Sequence, residues 1–439
     1  MNQFEAASNV IAVLRREGYE ALMAGGCVRD MIMGREPADY DVATSARPER
    51  VLELFRRTVP VGVQFGVVLV MDYGPKIEVA TFRRDEGYED GRRPVAVTFT
   101  DAREDALRRD FTINAMFFDP QSSQVIDYVG GREDIGRRIV RAVGDPEKRF
   151  EEDKLRLLRA ARFAATLDFQ IDPESAQAIR RRADHIGLVS QERIAVELER
   201  MLVNPRRAVA LRMMDELGLL QHILPEVAAM KGVRQSAVYH PEGDVFEHTL
   251  LSIEKLEKPS WPLALATLLH DIGKPVVKDV VPGKFYNHDA VGSEMAEAIC
   301  RRLKLSNEVT ERVAWMVRRH LYIWNARSMR LSTLKRLFAH PGYEELLQLH
   351  RADALGSMAE MDDLDYAEGV RKQLPPETIK PQPLLGGQDL IEMGLKPGPV
   401  FGKLLAELTE EQLQGNLSTR EDALAFVRRR LDEMGFSKN

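Results

Sequence analysis

Apolar residues between positions 3 and 17 recur at helical spacing and stop at Gly18, a residue suited to the position just past a helix end. Short apolar runs follow at 20–24, 40–43, 59–71 and 76–82, separated by helical stretches at 26–33 and 47–57. This alternation predicts a small mixed sheet with helices against it, ending near residue 145. Residues 84–96 are charged and contain glycine, which predicts a mobile loop. From Glu151 onward strand signals fade and helical patterning runs to the end. The expected fold class is therefore an α+β N-terminal domain with a mixed sheet, followed by a mostly α-helical remainder. Breaks fall near 146, 230 and 378, the last at Lys-Pro-Gln-Pro-Leu-Leu-Gly-Gly.

Composition narrows the class. At 439 residues the chain has room for two to four domains. Two cysteines, Cys27 and Cys300, exclude a disulfide framework and fit a reducing, cytoplasmic setting. The N-terminus shows no basic segment followed by an apolar one, and no apolar run is long enough for a membrane span. A net charge of −6 argues against a generally basic nucleic-acid binder. Arginine pairs such as Arg83-Arg84 and Arg108-Arg109 still allow a local positive surface.

The densest chemistry lies at 25–44. Gly25 and Gly26 open a short helix and let backbone N–H groups approach an anion. Asp39 and Asp41, two apart beside Val42 and Ala43, suit one face of a strand, where they could share divalent cations with substrate phosphates. Glycine loop and carboxylate pair together suggest chemistry on a nucleoside triphosphate. The whole string, with Arg29, Asp30 and Gly34, resembles the nucleotidyltransferase signature of the class II tRNA nucleotidyltransferase (CCA-adding) and bacterial poly(A) polymerase family.

Residues 151–163 read as one helix, on which Asp153 and Arg156 are i, i+3 neighbours. They form either an intrahelical ion pair or a base reader. A carboxylate accepts from an exocyclic amine, and a guanidinium donates to a ring nitrogen or carbonyl. Cytosine and adenine offer an amine beside an acceptor, whereas uracil and guanine place a carbonyl against the carboxylate. Arg159 and Arg162 turn away around the helix and so suit phosphates, RNA or the fold.

The family resemblance continues through Arg108 to Met116, Ile126 to Asp134 and Glu152 to Arg156. Tyr88 to Pro94 is similar to a flexible loop associated with adding the terminal A. The resemblance implies a polymerase-beta-like head at 1–146, a helical base- and RNA-binding neck at 147–230, a third domain at 231–377 and a helical RNA-binding segment at 378–439. It implies that Asp39 and Asp41 hold two Mg²⁺ ions, and that Gly26, Arg29, Arg109, Asp153, Arg156, Arg159 and Arg162 bind nucleotide. Glu78 reads as a surface strand residue or a third carboxylate. Phe111 and Asn114 read as a buried aromatic and a cap, or as ribose supports.

A second cluster starts at His270-Asp271, after the apolar run 263–269. With His248 upstream and Asp353 downstream it resembles an HD-type metal phosphohydrolase domain. The resemblance implies His248, His270, Asp271 and Asp353 as ligands of a divalent metal of unknown identity. His288 and His320 are possible further ligands. The expected function is addition of C, C and A to tRNA from CTP and ATP, with no membrane or protein partner implied. Poly(A) or A-only addition is the alternative within the family; a protein-modifying nucleotidyltransferase leaves Asp153 and Arg156 unexplained.

Overall fold

The computed structural model describes the chain except residues 63–64, 89–93, 237–242, 278–284, 358 and 435–439, and for 62, 85–88 and 94–96 it describes the backbone alone. The chain divides into two compact units, Met1–Ala229 with Arg302–Leu305, and Met230–Arg301 with Ser306–Asn439.

The first unit opens with the helix Gln3–Arg16, capped reciprocally by Asn2 and Glu5. It buries Ala6, Ala7, Val10, Ile11 and Leu14, the stripe that helical spacing predicts. Strands β1 (Ala21–Ala24), β2 (Asp41–Thr44), β3 (Thr58–Gly62), β4 (Val67–Val70) and β5 (Ile77–Thr81) follow. A separate hairpin of β6 (Arg83–Tyr88) and β7 (Pro94–Phe99) comes next, then β8 (Met116–Asp119) and β9 (Gln124–Asp127). The seven-stranded sheet runs β3-β4-β5-β2-β1-β8-β9, and only its β2–β5 contact is parallel. Central β1 is buried at all four positions, which is why it reads as an unbroken Ala-Leu-Met-Ala. Leu22, Ala43, Phe82, Ala106 and Phe117 form a core cluster behind it.

Three sequence expectations change. The apolar run 59–71 is two antiparallel strands, β3 and β4. The expected loop at 84–96 falls largely within the β6–β7 hairpin, registered Arg83 to Phe99 and Tyr88 to Pro94. Its second strand holds the β-favouring Val95, Val97 and Phe99, and charged residues suit an exposed edge. The tip of the loop likened to the A-adding element, 89–93, lies outside the described residues. Finally, 151–163 is not one helix: Pro146–Glu152 ends at Asp153, whose backbone is extended, and Leu155–Leu167 begins after Lys154. Asp153 breaks the helix because its Oδ1 accepts the Leu155 N–H at 3.1 Å, a helix-starting contact.

The second unit is helical among the described residues. Val245–Glu254, Trp261–Leu269, His288–Arg302, Asn307–Arg319 and Tyr343–Ser357 surround the histidine cluster. A further cluster (Leu390, Leu404, Phe426 and Val427 among others) packs the C-terminal helices. Among the described residues no helix is long and apolar enough to cross a membrane.

Candidate active site and metal centre

The turn from β1 into the helix Gly26–Ile32 is made by Gly25 at φ +80°, where a Cβ would lie 3.2 Å from Arg109 Nη1. Only glycine suits both that backbone conformation and that approach. β2 pairs antiparallel to β1 with Asp41 opposite Ala24, and runs parallel to β5 in the register Val42 to Val79. That register sets Glu78 beside Asp41. Asp39 lies just before β2 rather than on it, yet faces the same cavity of about 760 Å³ as Asp41 and Glu78. Glu78 is an exposed strand residue that also lines the cavity, a third carboxylate beside Asp39 and Asp41. Burial first, then Glu78 and Asp39, push the Asp41 carboxyl up to about 7, with Arg109 opposing. Burial and Asp39 also raise Glu78. Asp41 and Glu78 are thus raised by burial and by neighbouring carboxylate charge that the nearby arginines do not offset, so the donor set fits divalent cations.

Among the described residues the same cavity is lined by nine arginines and five carboxylates, a wall rich in guanidinium groups that suits a polyphosphate. Arg29 is buried, donating to Asn114 Oδ1 at 2.8 Å and to Asp30. Asn114 therefore holds an arginine in place, and Phe111 is wholly buried. Arg109 is steered by Asp105 at 3.0 Å. Cys27 is a buried packing residue, with its thiol raised to about 11 by burial.

Asp153 and Arg156 both line the cavity, but they do not pair with each other among the described contacts. Arg156 Nη1 donates to Glu152 and the Arg149 carbonyl, and Nη2 to the Arg108 carbonyl, which leaves two of its five N–H donors over. Arg159 forks onto Asp110 at 2.9 and 2.5 Å, and Arg162 pairs with buried Glu197. Burial would raise Asp110, but Arg159 outweighs it and holds the carboxyl at about 2. Both arginines still line the cavity, with guanidinium groups over Phe163 at 5.3 and 3.9 Å. Sequence reasoning passed over Arg193 and Arg200, which also line it. Their signal was the stripe Arg193, Glu197, Arg200 on the helix Gln191–Leu202, a pattern common on solvated helices.

In the second unit His248, His270, Asp271, His288, His320 and Asp353 converge and are all buried. They form two triads that share Asp271: His248 with His270, and His288 with His320. Asp353 Oδ1 lies 2.9 Å from His248 Nε2 and 3.8 Å from His270 Nε2. Nδ1 of His270, His288 and His320 sits 2.8, 2.6 and 2.7 Å from the carbonyls of Thr267, Phe285 and Val317. A carbonyl only accepts, so each Nδ1 carries a proton, and Nε2 is the ring atom left turned inward toward the cluster. Nε2 of His288 and His320 are 3.2 Å apart, close enough to share one proton or to bind one metal ion between them. Burial holds His320 neutral, lowered to about 3. Asp271 stays ionised well below the usual range: His270 and Lys274 overcome its burial. The residues fit one or two divalent metals. A Cβ at Gly273 would meet the His288 carbonyl at 2.2 Å, so this glycine lets the turn after Trp261–Leu269 approach the start of the helix His288–Arg302. Lys274, 2.6 Å from Asp271 Oδ2 and from Gln235 Oε1, and His350, donating to the His320 carbonyl, were not singled out from sequence.

Three family descriptions match the chain: Poly A polymerase head domain over 21–141, Probable RNA and SrmB- binding site of polymerase A over 168–231, and HD domain over 245–358. A CCA-adding enzyme of Limosilactobacillus fermentum is 32% identical over 428 residues, 95% of this chain and 94% of that protein. The chain belongs to the CCA-adding enzyme family. The Geobacillus stearothermophilus CCA-adding enzyme is 44% identical over 237 residues, a stretch spanning 54% of this chain and 58% of that relative. A crystal structure of the Bacillus stearothermophilus CCA-adding enzyme in complex with CTP superposes with a TM-score of 0.78 at 31% identity, over 99% of this chain and 100% of that one.

Nucleotidyltransferase heads and HD domains of such enzymes use divalent metals, and Asp41 makes that use testable in this family member. Its folded-state value lies above the unfolded 3.8, so the native state holds the extra proton between 3.8 and about 7. Stability from this group is full below that window and is lost as pH rises through it. A divalent cation replaces the lost proton. Mg²⁺ should therefore raise the melting temperature more at about pH 8 than at about pH 5.5. Equal shifts at both values would contradict the carboxylate cluster as the binding site, and an Asp41→Asn control assigns the effect to the head rather than the HD cluster.

Proposed function

We propose that this chain adds C, C and A to tRNA 3′ ends from CTP and ATP without a nucleic-acid template. One observation carries the reading: the carboxylates Asp39, Asp41 and Glu78 share a single cavity with the base-reading groups Asp153 and Arg156. Asp39 and Asp41 would hold Mg²⁺, which when bound activates the RNA 3′-hydroxyl and offsets triphosphate charge. Gly26, Arg29 and Arg109 would meet the phosphates, with Arg159 and Arg162, which line the same cavity, adding to its positive field. Asp153 accepts from the cytosine or adenine amine, while the two uncommitted donors of Arg156 address the neighbouring ring acceptor. Uracil and guanine turn a carbonyl toward Asp153, so the protein supplies the selection that a template strand would otherwise supply.

Four functional segments follow from this reading, a head at 1–146, a neck at 147–230, an HD domain at 231–377 and an RNA-binding tail at 378–439, acting in the cytoplasm. The HD cluster serves as a metal-dependent phosphohydrolase on a phosphomonoester or cyclic phosphodiester, with damaged RNA 3′ ends as substrate. Two triads sharing one carboxylate support that role, because paired metals suit phosphate ester hydrolysis.

The base-reading step has its own test. Asp153→Ala should lower the preference for CTP over UTP by roughly 10- to 100-fold, the worth of one good base contact. Competition between the two nucleotides on a tRNA lacking its terminal CCA measures it. Unchanged discrimination would contradict the assignment of Asp153.

A further inference from the structure

We infer that Arg193, on the helix Gln191–Leu202, is a positioning residue that sets nucleotide selectivity by fixing the Asp153 carboxylate; this rests on the base-reading role proposed above. Its guanidinium forks onto the carboxylate, Nη1 to Oδ1 at 3.1 Å and Nη2 to Oδ2 at 2.8 Å. The Leu155 N–H also donates to Oδ1, at 3.1 Å. A carboxylate has about four lone-pair sites, and these three donors occupy three of them. Both sites on Oδ1 are taken. One acceptor site remains, on Oδ2, in a group that lines the nucleotide cavity.

Asp153 sits between two helices with an extended backbone, so its own helix geometry does not hold the side chain. A carboxylate free to turn about its Cβ–Cγ bond could swing aside from an incoming carbonyl, or let a water bridge to it. The planar fork removes that freedom, and lysine, a rotatable point charge, cannot reproduce it. Arg193 also begins the inward stripe of its helix. Glu197, one turn on, pairs with Arg162 and lies 3.6 Å from Arg159, so one helix face braces both the acceptor and the arginine side of the pocket. Fixing one acceptor opposite the exocyclic amine sets a uracil or guanine carbonyl against a carboxylate oxygen that does not turn aside, which raises the cost of the wrong base.

The test compares wild type, Arg193→Met, Arg193→Lys and Asp153→Ala, each verified by melting temperature. Binding of CTP and UTP by calorimetry and incorporation of each on a tRNA lacking its CCA are the readouts. The expected result is a CTP-over-UTP ratio that falls about tenfold or more in Arg193→Met, with Arg193→Lys failing to restore it and CTP turnover changing less than the ratio. Uniform weakening of CTP, ATP and UTP would overturn the inference, because Arg193 would then act as a general phosphate contact. Full rescue by Arg193→Lys would overturn the fork in favour of bare charge. Relaxed selectivity in Asp153→Ala with intact selectivity in Arg193→Met overturns only the Arg193 role. Intact selectivity in Asp153→Ala overturns the base reader itself. Should Arg193→Met fail to fold, Arg193→Lys alone decides: undiminished selectivity overturns the inference, and a tenfold loss sustains it.

Discussion

Asp41→Asn should abolish nucleotide addition, a loss on the order of 10³-fold or more, while leaving the protein at least as stable as wild type in the absence of metal. The two effects share one cause. Asp41 is half-buried beside Glu78 and Asp39, and burial with their charge drives its carboxyl up to about 7. An amide of the same shape removes that repulsion, so the metal-free melting temperature at about pH 8 should rise. It also removes a cation ligand, so the chemistry should stop. Loss of activity with a higher melting temperature is a signature that misfolding cannot mimic. Asp39→Ala should likewise inactivate. Near-wild-type turnover in either variant, measured by primer extension on a tRNA lacking its CCA, would remove the metal assignment from this carboxylate cluster.

His270→Ala together with Asp271→Asn should eliminate phosphohydrolase activity and divalent-metal retention in the second unit, with nucleotide addition retained. Asp271 is common to both triads, so its amide undoes both at once. It also meets Lys274 at 2.6 Å in a buried site, and breaking such a pair costs about 3–5 kcal/mol. Single His270→Ala is the milder control: it removes one Nε2 ligand and leaves the Asp271–Lys274 contact in place. Metal content by elemental analysis and hydrolysis of a 2′,3′-cyclic nucleotide are the measurements. Retained metal and hydrolysis in the double variant would contradict the centre, and loss of nucleotide addition in single His270→Ala would contradict the separability of the two activities.

What sequence made legible was local, and what it missed was assembled from distant segments. The glycine turn, Asp41 at a strand start and the His-Asp pair at a helix end are short strings whose spacing carries their geometry. Asp153 shows the limit. Its i, i+3 spacing to Arg156 implied one helix, but its side chain accepts the Leu155 N–H at the start of the next helix and its carboxylate answers to Arg193, forty positions along. Glu78 was undervalued because only the parallel β2–β5 register sets it beside Asp41. Strand register is a tertiary outcome, and alternation along one strand does not show which neighbour it takes. The β6–β7 hairpin was hidden for a related reason: glycine and charge read as loop, whereas pairing decided the structure. Lys274 lies three positions after Asp271, yet its role depends on Gln235, upstream on a different segment.

The assignment of template-free C, C and A addition meets its most direct test in the products themselves. A tRNA ending just before the CCA, and one ending after the second C, are each incubated with the four nucleoside triphosphates together and separately, and the 3′ ends are sequenced. The expected products are C, C and A on the first tRNA and a single A on the second, with U and G excluded and growth stopping at the A. Continued adenosine addition, a first tRNA that accepts only A, or free incorporation of U would contradict it.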